Sequence, residues 1–548
     1  IDAANNIAVP ADSADLDEDG DTIERTPLDL NEKQRFINDV STPDTGVSDP
    51  PDYLEIVDMG AYEYQCIIFV DTMAPGADDG TAWKDAYKYL QDGLADAAVS
   101  GKDIQVAQGT YRPDENNANP TGTDNRTATF FLINGVTIHG GFPSGGSTSA
   151  GRDPSAYETI LSGDIGTEGG DTDNSYHVVT GSGTDPNTIL NGFTITAGNA
   201  NGTDPDNGGA GMYNSGGSPT VTNCTFSGNS AGGNGGGMHN HNSSPMLTNC
   251  VFIANSVDHT SGQGGGLYNN LYDSDPVVTN CAFIGNLAGC YGGGMYNHQG
   301  TPILTNCMFS GNVITQQPLV GAGGGMYNNS GDSILVNCTF SGNQAKDEGA
   351  GIYIDEGNPS LTNCIFWGND ISGRTDELAQ LYVNNGSADI NYSCVQGWTS
   401  GLGGTGNIDA DPMFKDADGD DDVVGTEDDS LQLLLGSPCI DAGDNNSVPA
   451  DFADLDSDGD TSERTPLDLA GNARFTDDLL TPDTGNGVTG YWDIVEMGAY
   501  ERYEFCGSGA YPYPPGDVSG PDGIRDCYID FHDFAVFSAH WLEYTGPE

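Results

Sequence analysis

Apolar residues alternate with small or polar residues in a pattern that recurs six times between Gly208 and Asn369. Each copy opens with a glycine-rich run and an apolar residue, then reads Thr-Asn-Cys or Val-Asn-Cys, and continues through Phe to a closing Asn. The cysteines lie 26 or 31 residues apart in alternation. A repeat of this length is typical of a solenoid, and two-residue alternation interrupted by turn formers indicates short strands. We therefore predict an all-β fold, a parallel β-helix whose strands pair with their equivalents about 4.8 Å away in the next coil.

Equivalent positions of successive coils stack, so each recurring residue is expected to form a ladder along the solenoid axis. The apolar residues after the glycines form one inward ladder, at Met212, Met238, Leu267, Met295, Met326 and Ile352. The aromatic residues form a second ladder, at Phe226, Phe252, Phe283, Phe309, Phe340 and Phe366. The cysteines form a third, at Cys224, Cys250, Cys281, Cys307, Cys338 and Cys364. We interpret them as packed thiols, because adjacent parallel strands rarely give disulfide geometry.

Asparagine recurs at two positions of each copy. The residues before the cysteines, called here the corner asparagines, are Asn223, Asn249, Asn280, Asn306, Asn337 and Asn363. The residues that close each copy are Asn229, Asn255, Asn286, Asn312, Asn343 and Asn369. Stacked asparagines can hydrogen-bond amide to amide and tolerate left-handed backbone angles, so both sets are expected at bends.

This pattern resembles the right-handed parallel β-helix repeat proteins of bacterial cell surfaces, including the polymorphic outer-membrane protein type. Their repeats also carry a triple-glycine-apolar element and a Thr-Asn-Cys-x-Phe-x-Gly-Asn element. The resemblance covers roughly residues 67–503. It implies a right-handed solenoid and an extracellular or cell-surface location, neither of which follows from the spacing.

The sequence divides into five parts. Residues 1–66 are an N-terminal arm, residues 67–200 hold a predicted capping helix and the first coils, and residues 201–370 hold the regular repeats. Residues 371–503 contain the last coils and an acidic tail, and residues 504–548 a small terminal module. The capping helix is predicted from apolar residues at helical spacing, and it would cover the exposed edge of the first coil. Those residues are Trp83, Ala86, Tyr87, Leu90, Leu94 and Ala97.

The N-terminal arm duplicates the end of the acidic tail. The stretch from Ile1 to Leu30 matches the stretch from Ile440 to Leu469, and residues 55–64 match residues 493–502. Because the later copy closes a β-helix, two hypotheses arise for the first. Either a precursor of several modules is cut near Ile1, or the arm docks on the end of a neighbouring subunit and builds a head-to-tail homopolymer.

The strongly negative charge of the chain limits the kinds of molecule that it can bind. The chain of 548 residues carries 81 acidic against 16 basic residues, a formal net charge of −65. Nucleic acid and anionic membranes would be repelled by such a chain, whereas divalent cations would be attracted. No run of 18 apolar residues is present, so membrane insertion is not expected. The absence of an initiator methionine suggests a start that is processed or incomplete.

Calcium is the cofactor that the sequence predicts. Alternate carboxylates on a tight turn can converge on a hard cation that takes six to eight oxygens. Two loops have this pattern, Asp15, Asp17, Asp19 and Asp21 in the arm and Asp454, Asp456, Asp458 and Asp460 in the tail. Neither has an acid at the twelfth position of an EF-hand, and a solvated acidic turn is the alternative. A weaker third candidate consists of Asp416, Asp418, Asp420 and Asp422.

The last segment resembles half of a dockerin, or the dockerin-like tail of secreted planctomycete proteins. Its implied calcium ligands are Asp517, Ser519, Asp526, Asp530 and Asp533. An inserted Gly-Pro-Asp-Gly-Ile-Arg stretch and the lack of a second repeat depart from the dockerin pattern. Cys506 and Cys527 flank the loop and are a candidate disulfide in an oxidising compartment.

A catalytic site is not predicted. No Lys or Arg occurs between Arg152 and Lys346, and the histidines at positions 239, 241, 259 and 298 are interpreted as surface residues. Glycans are a candidate partner of the recurring Tyr213, Tyr268, Tyr296 and Tyr327, although a structural stack of these rings is favoured. The predicted function is a secreted structural or adhesive protein, a calcium-stabilised filament subunit. The alternative is a β-helix that binds or cleaves carbohydrate.

Overall fold

The computed structural model describes residues 67–502, apart from residues 272–273, 316–320, 457, 477–480 and 488–493. It confirms the predicted fold, a right-handed parallel β-helix with very little helix. Four parallel sheets run along the solenoid, and each complete coil contributes one strand to each sheet in the order sheet 1, 2, 3 and 4. In-register pairing joins each strand to its equivalent in the next coil, such as Met212 opposite Met238.

The strand bounds follow the repeat. Sheet 1 consists of Phe130–Phe131, Val179–Thr180, Met212–Ser215, Met238–His241, Leu267–Asn270, Met295–His298, Met326–Asn329, Ile352–Asp355 and Leu381–Val383. Sheet 2 consists of Ile68–Val70, Ile104–Ala107, Thr137–Phe142, Ile189–Asn191, Thr220–Thr222, Met246–Thr248, Val277–Thr279, Ile303–Thr305, Ile334–Val336, Ser360–Thr362 and Asp389–Asn391. Sheet 3 consists of Gly109–Tyr111, Thr159–Ser162, Thr194–Thr196, Thr225–Ser227, Val251–Ile253, Ala282–Ile284, Met308–Ser310, Thr339–Ser341, Ile365–Trp367 and Cys394–Val395. Sheet 4 consists of Asn199–Ala200, Ser230–Ala231, Ser256–Val257, Leu287–Ala288, Val313–Ile314, Gln344–Ala345 and Asp370–Ile371.

The helices are few and short. Helix α1 spans Leu90–Ser100 and helix α2 spans Glu377–Gln380. The part of the chain that the structure describes also has three single 3₁₀ turns, at Trp83–Asp85, Ser149–Gly151 and Asn445–Ser447. Within the described residues, no helix is long and apolar enough to span a bilayer.

Helix α1 covers the first coil as predicted, but it begins later than the apolar spacing indicated. Leu90, Leu94 and Ala97 of the helix are buried in the main core of the solenoid. The backbone of Tyr87 instead pairs with the first strand, because its N–H donates to Phe69 O at 2.9 Å. Trp83 also lies outside the helix and packs against the rings of Phe69 and Phe142.

All three predicted ladders line the core. The six phenylalanine rings stack with centroids 4.4–4.9 Å apart and planes 2–13° from parallel. The six apolar residues of sheet 1 and the six cysteines are at most 1% exposed, and these cysteines are free thiols. Burial of each large apolar side chain stabilises the fold by about 1.5–3 kcal/mol.

The two predicted sets of asparagines differ in role. The corner asparagines have φ between +51° and +57°, the left-handed region that asparagine tolerates, and they form the bend between sheets 2 and 3. The closing asparagines, from Asn229 to Asn369, are fully buried between sheets 3 and 4. There each Nδ2 donates to Oδ1 of the next asparagine at 2.8–3.0 Å. Helix α2 ends this ladder, because Asn369 Nδ2 donates to Gln380 Oε1 at 2.7 Å.

A third asparagine ladder, not predicted, faces inward from sheet 1. Its members lie two residues after the apolar ladder and are fully buried, at Asn214, Asn240, Asn269, Asn297 and Asn328. Asn214 Nδ2 donates to Asn240 Oδ1 and Asn240 Nδ2 donates to Asn269 Oδ1, both at 2.9 Å. The two-residue period places these asparagines on the same face as the apolar ladder, and this spacing was the available signal.

The recurring tyrosines form the structural stack that was favoured. Successive rings on the outer face of sheet 1, from His177 through Tyr213 and His239 to Tyr382, have centroids 4.8–5.4 Å apart. Tyr268, Tyr296 and Tyr327 are only 4–6% exposed. Their faces are therefore occupied by neighbouring rings and cannot stack on a sugar.

One member of this stack, His239, was expected at the surface, but both of its ring nitrogens are buried. They lack hydrogen-bond partners among the described residues, although part of the side chain remains accessible. Burial, with His241 and His177 nearby, lowers the pKa of His239 to about 3. Of the other histidines, His259 is exposed, whereas His298 is partly buried.

His239 is expected to make the fold sensitive to acid. Between pH 6.5 and 3 the unfolded chain binds a proton at this residue and the folded chain does not, so stability falls as the pH drops through that window. The loss between pH 6.5 and 4.5 is expected to be about 2 kcal/mol. His239→Phe should flatten the pH dependence of urea unfolding, and His259→Phe at an exposed position should not. An unchanged slope in His239→Phe would contradict the assignment.

Candidate metal centre on the covering segment

The sequence analysis expected the acidic tail to close the end of the solenoid. The described part of the tail instead lies along the side of the coils. The described part of residues 410–502, named here the covering segment, folds back along the outside of sheet 3 and the bend between sheets 2 and 3. Leu431 of this segment packs on Ile253, Ile284 and Met308, which face outward from sheet 3. Within its described residues, the one pair of antiparallel strands joins Phe414–Asp416 to Ser430–Leu433. The apolar outer surface of sheet 3 explains this course, because it would otherwise be exposed to water.

The corner asparagines bind the covering segment through their free amide hydrogens. Nδ2 of Asn280, Asn306, Asn337 and Asn363 donates to backbone carbonyl oxygens of Asp468, Leu467, Glu496 and Asp444 at 2.7–3.1 Å. Asn306 also keeps its bond to Asn280 Oδ1 at 2.9 Å. One ladder therefore stabilises both the solenoid and its cover.

A buried ionic cluster lies at the same contact. The Arg474 guanidinium is fully buried and donates to Glu501 Oε2 at 3.0 Å and to Asn306 Oδ1 at 2.7 Å. Burial raises the pKa of Glu496 and of Glu501, and Arg474 opposes the rise at Glu501. Arg474 is therefore the charged link between the covering segment and the coils.

The candidate metal site is built on a short hairpin-like pairing. Ala450 and Arg464 form an antiparallel bridge, and Asp451 N–H donates to Glu463 O at 2.8 Å. This pairing sets the side chains of Asp451 and Glu463 beside each other at the base of an acidic loop. Asp456, within that loop, folds back toward them.

The resulting carboxylates can hold one cation. Ligand oxygens of Asp451, Asp456 and Glu463 lie within 4.8 Å of one another, and so do those of Asp454, Asp456 and Asp458. Asp451 is 1% exposed. Its Oδ2 accepts Leu455 N–H at 2.7 Å, but Oδ1 and Glu463 Oε1 are buried and lack a partner among the described residues. Burial and neighbouring aspartates raise the pKa of Asp451 and of Glu463.

Such a site suits calcium. Carboxylate oxygens are the ligands of hard cations, and calcium accepts the irregular arrangements that loops provide. A cation would satisfy the two buried oxygens and offset the burial and the repulsion that raise both pKa values.

The structure brings together three of the four aspartates predicted in this loop. Asp460 is directed elsewhere, because its Oδ1 accepts Ser462 N–H at 2.9 Å and Ser462 O–H at 2.6 Å. The sequence analysis missed Asp451 and Glu463. The N-terminal arm has Asp12 and Glu24 at the matching positions, so comparison of the two copies would have identified them.

The remaining predicted metal ligands have different outcomes. Among the described residues, Asp416, Asp418, Asp420 and Asp422 do not form a group of three converging carboxylates. The aspartates at positions 15, 17, 19 and 21 lie outside the described residues. The same holds for the dockerin-like ligands at positions 517, 519, 526, 530 and 533 and for the Cys506 and Cys527 pair.

Arg152, the last basic residue before the long stretch without Lys or Arg, has a structural role. Its guanidinium donates to Gly140 O at 2.6 Å, Asn191 Oδ1 at 2.6 Å and Asn191 O at 3.0 Å. Arg152 thus holds the bend of an early coil through hydrogen bonds, and Arg474 does the same at Asn306 in a later coil.

Comparison with known proteins agrees with the fold. Residues 271–401 match the family model described as a right handed beta helix region. No curated protein matches the chain. The match and the four parallel sheets together define a right-handed β-helix repeat protein. The finer resemblances, to polymorphic outer-membrane proteins and to dockerin, stay predictions.

Proposed function

We propose that this protein is a secreted structural or adhesive component of the cell surface, in which calcium fastens the covering segment to a β-helix. The observation that carries the proposal is the buried, unpartnered Asp451 Oδ1 beside Asp456 and Glu463. The role is structural rather than enzymatic. It is supported by the core ladders, which make a stiff rod, and by the burial of the recurring tyrosines.

The ion would act on the covering segment through the pairing beside it. Arg464 lies opposite Ala450, and its guanidinium donates hydrogen bonds to the backbone oxygens of Asn445 and Val448. The neighbouring Asp444 accepts at its backbone oxygen from Asn363 Nδ2 at 3.1 Å and donates its N–H to Asn363 Oδ1 at 2.7 Å. Calcium at the loop would therefore stabilise the contact with the coils.

Calcium is expected to raise the stability of the covering segment. At a concentration 100 times the dissociation constant, one site that binds only the folded state contributes about 2.7 kcal/mol. Urea unfolding should be followed in millimolar calcium and in chelator, since extracellular calcium modules bind at about 10⁻⁴–10⁻³ M. Asp456→Asn should remove most of the calcium effect, whereas Asp420→Asn should retain it. An equal calcium response in both variants would exclude this site.

We further propose that copies assemble head to tail through residues 1–64. The arm has Asp29, Arg35 and Glu63 at the positions of Asp468, Arg474 and Glu501, the groups that bind the coils in the covering segment. A second copy of these groups would suit the corner asparagines that a neighbouring molecule's own covering segment leaves open, such as Asn223. In this head-to-tail joint, the arm of one molecule would lie along the bend between sheets 2 and 3 of the next.

Electron microscopy of negatively stained protein tests assembly directly. Filaments with a regular axial repeat are expected in millimolar calcium, with short rods in chelator. Deletion of residues 1–64 should leave short rods in both conditions, and Arg35→Met should weaken assembly in the full chain. Filaments formed equally well without the arm, or rods alone from the full chain, would overturn the assembly proposal while leaving the calcium test unaffected.

A further inference from the structure

Cys394 differs from the six cysteines of the core ladder in the direction of its side chain. The strand Cys394–Val395 pairs with Ile365–Trp367, with Val395 opposite the core residue Phe366 and Cys394 opposite Ile365. The ladder position of this coil belongs to Ser393, whose Oγ accepts Cys364 N–H at 3.1 Å. Cys394 therefore faces outward, toward the covering segment.

Cys439 of the covering segment is buried in the same cluster as Cys394. Both cysteines are fully buried in one apolar cluster that also contains Ile365, Ile440 and Met497. The neighbouring Cys394 thiol and burial raise the pKa of Cys439. The backbone of Cys439 is held by Met497 N–H, which donates to Cys439 O at 3.0 Å.

The ladder cysteines, by contrast, stack along the solenoid axis, one from each coil. In-register parallel strands keep their Cβ atoms near the strand spacing of about 4.8 Å, outside the 3.5–4.5 Å of disulfides. Each ladder thiol also donates to backbone carbonyls, as Cys307 Sγ does to Val278 O at 3.4 Å and Thr305 O at 3.3 Å. Cys394 Sγ likewise donates to a carbonyl, Ala410 O at 3.0 Å, so what distinguishes the pair across the two layers is that its members do not lie on in-register parallel strands.

We propose that Cys394 and Cys439 form a disulfide that locks the covering segment to the last coil. The extracellular setting of the proposed function supplies only the oxidising conditions; the pairing rests on the geometry. The two thiols give up two protons and two electrons to a disulfide of an oxidoreductase or of glutathione, which becomes two thiols. One S–S bond replaces two S–H bonds, through a mixed disulfide.

The bond forms before the covering segment packs, because both sulfurs are inaccessible afterwards. It closes a loop that contains the antiparallel pair and leads into the candidate metal centre. The disulfide and the cation would thus hold the same segment at two points.

Peptide mapping tests the disulfide. The full chain is refolded in a glutathione redox buffer, unfolded in guanidinium with an alkylating reagent and no reductant, then digested and analysed by mass spectrometry. A cross-linked peptide pair holding Cys394 and Cys439 is expected, which separates on reduction. Cys307 and Cys338 of the ladder should carry the alkyl group.

Variants make the result specific. Cys439→Ser should leave Cys394 alkylated, and Cys338→Ser should keep the cross-link. Alkylation of both Cys394 and Cys439 in the wild-type chain, or linkage of either to a third cysteine, would overturn the proposal. The wild-type map decides the question even where a variant fails to fold, and use of a defined redox buffer makes it independent of the location of the protein.

Discussion

Replacement of Arg474 by methionine is expected to destabilise the attachment of the covering segment by about 3–5 kcal/mol, the cost of removing one partner of a buried ion pair. Methionine keeps much of the buried volume but none of the donors. Glu501 Oε2 and Asn306 Oδ1 would each lose a charged donor, at 3.0 Å and 2.7 Å in the wild type. The carbonyl oxygens of Gly498 and Ala499 would also lose theirs.

The pH dependence separates the charge effect from packing. Burial already raises the pKa of Glu501, and loss of Arg474 would raise it further. Protonation of Glu501 removes the unpaired charge, and the two folded forms differ in protonation only above the wild-type pKa of about 8, so the penalty of Arg474→Met should shrink as the pH is lowered from about 10 to about 8. A loss caused only by packing would stay constant across this range.

Hydrogen exchange of residues 440–475, measured together with urea unfolding, is the appropriate readout, because local opening of the segment precedes unfolding of the coils. Arg374→Met is the matched control, since Arg374 pairs with Asp376 at a position where both side chains are about half exposed. Its effect should stay below about 1 kcal/mol. An Arg474→Met effect as small as that of the control would show that the buried pair does not hold the segment.

Replacement of Asn286 by alanine is expected to destabilise the regular coils by about 3–9 kcal/mol, the sum for three buried groups left unpaired. Asn286 Nδ2 donates to Phe252 O at 2.8 Å and to Asn312 Oδ1 at 2.9 Å. Its Oδ1 accepts from the backbone N–H of Asn255 at 3.1 Å and from Asn255 Nδ2 at 3.0 Å. Alanine would leave two buried donors and one carbonyl oxygen unpaired, at about 1–3 kcal/mol each.

The matched control is Asn223→Ala, at an exposed corner position. Asn223 Nδ2 donates to Asn191 Oδ1 at 3.2 Å in the part of the bend that the covering segment leaves open. Its replacement should cost only about 1–2 kcal/mol, the strain of alanine in the left-handed region, because water can replace the lost bond. Urea unfolding followed by circular dichroism compares the two variants. Equal midpoints for Asn286→Ala and the control would refute a stabilising role for the buried ladder.

Much of the solenoid could be predicted because its contacts are local in the repeat. In-register stacking makes each residue the neighbour of its own equivalent, so recurrence of Phe226 or Asn229 directly specifies a contact in space. The corner asparagines were predictable for the same reason. Their left-handed φ follows from residue type and from their position at a bend.

The start of helix α1 shows the limit of periodicity. Apolar spacing extends from Trp83 to Ala97, yet the backbone of Tyr87 pairs with the edge of the first strand and delays the helix to Leu90. An exposed strand edge offers hydrogen bonds that outweigh a local helical preference. The sequence carries no indication of that edge at this position.

Only some residues of the candidate metal centre could be predicted from the sequence. The alternation of aspartates indicated Asp454, Asp456 and Asp458, because oxygen-rich turns have a local signature. Asp451 and Glu463 join them through pairing of backbone segments on either side of the loop. Such pairing depends on chain direction in space rather than on spacing along the sequence.

The sequence alone therefore determined the coil, its ladders, its acidity and the position of one oxygen-rich loop, because each of these is a property of a repeat or of a short segment. Only the tertiary structure decided that the covering segment lies along sheet 3 and places Arg474 on Asn306 and Cys439 on Cys394. The physical reason is that apolar and amide groups facing outward from the coils require a partner. That partner is a segment distant in sequence and without a repeat of its own.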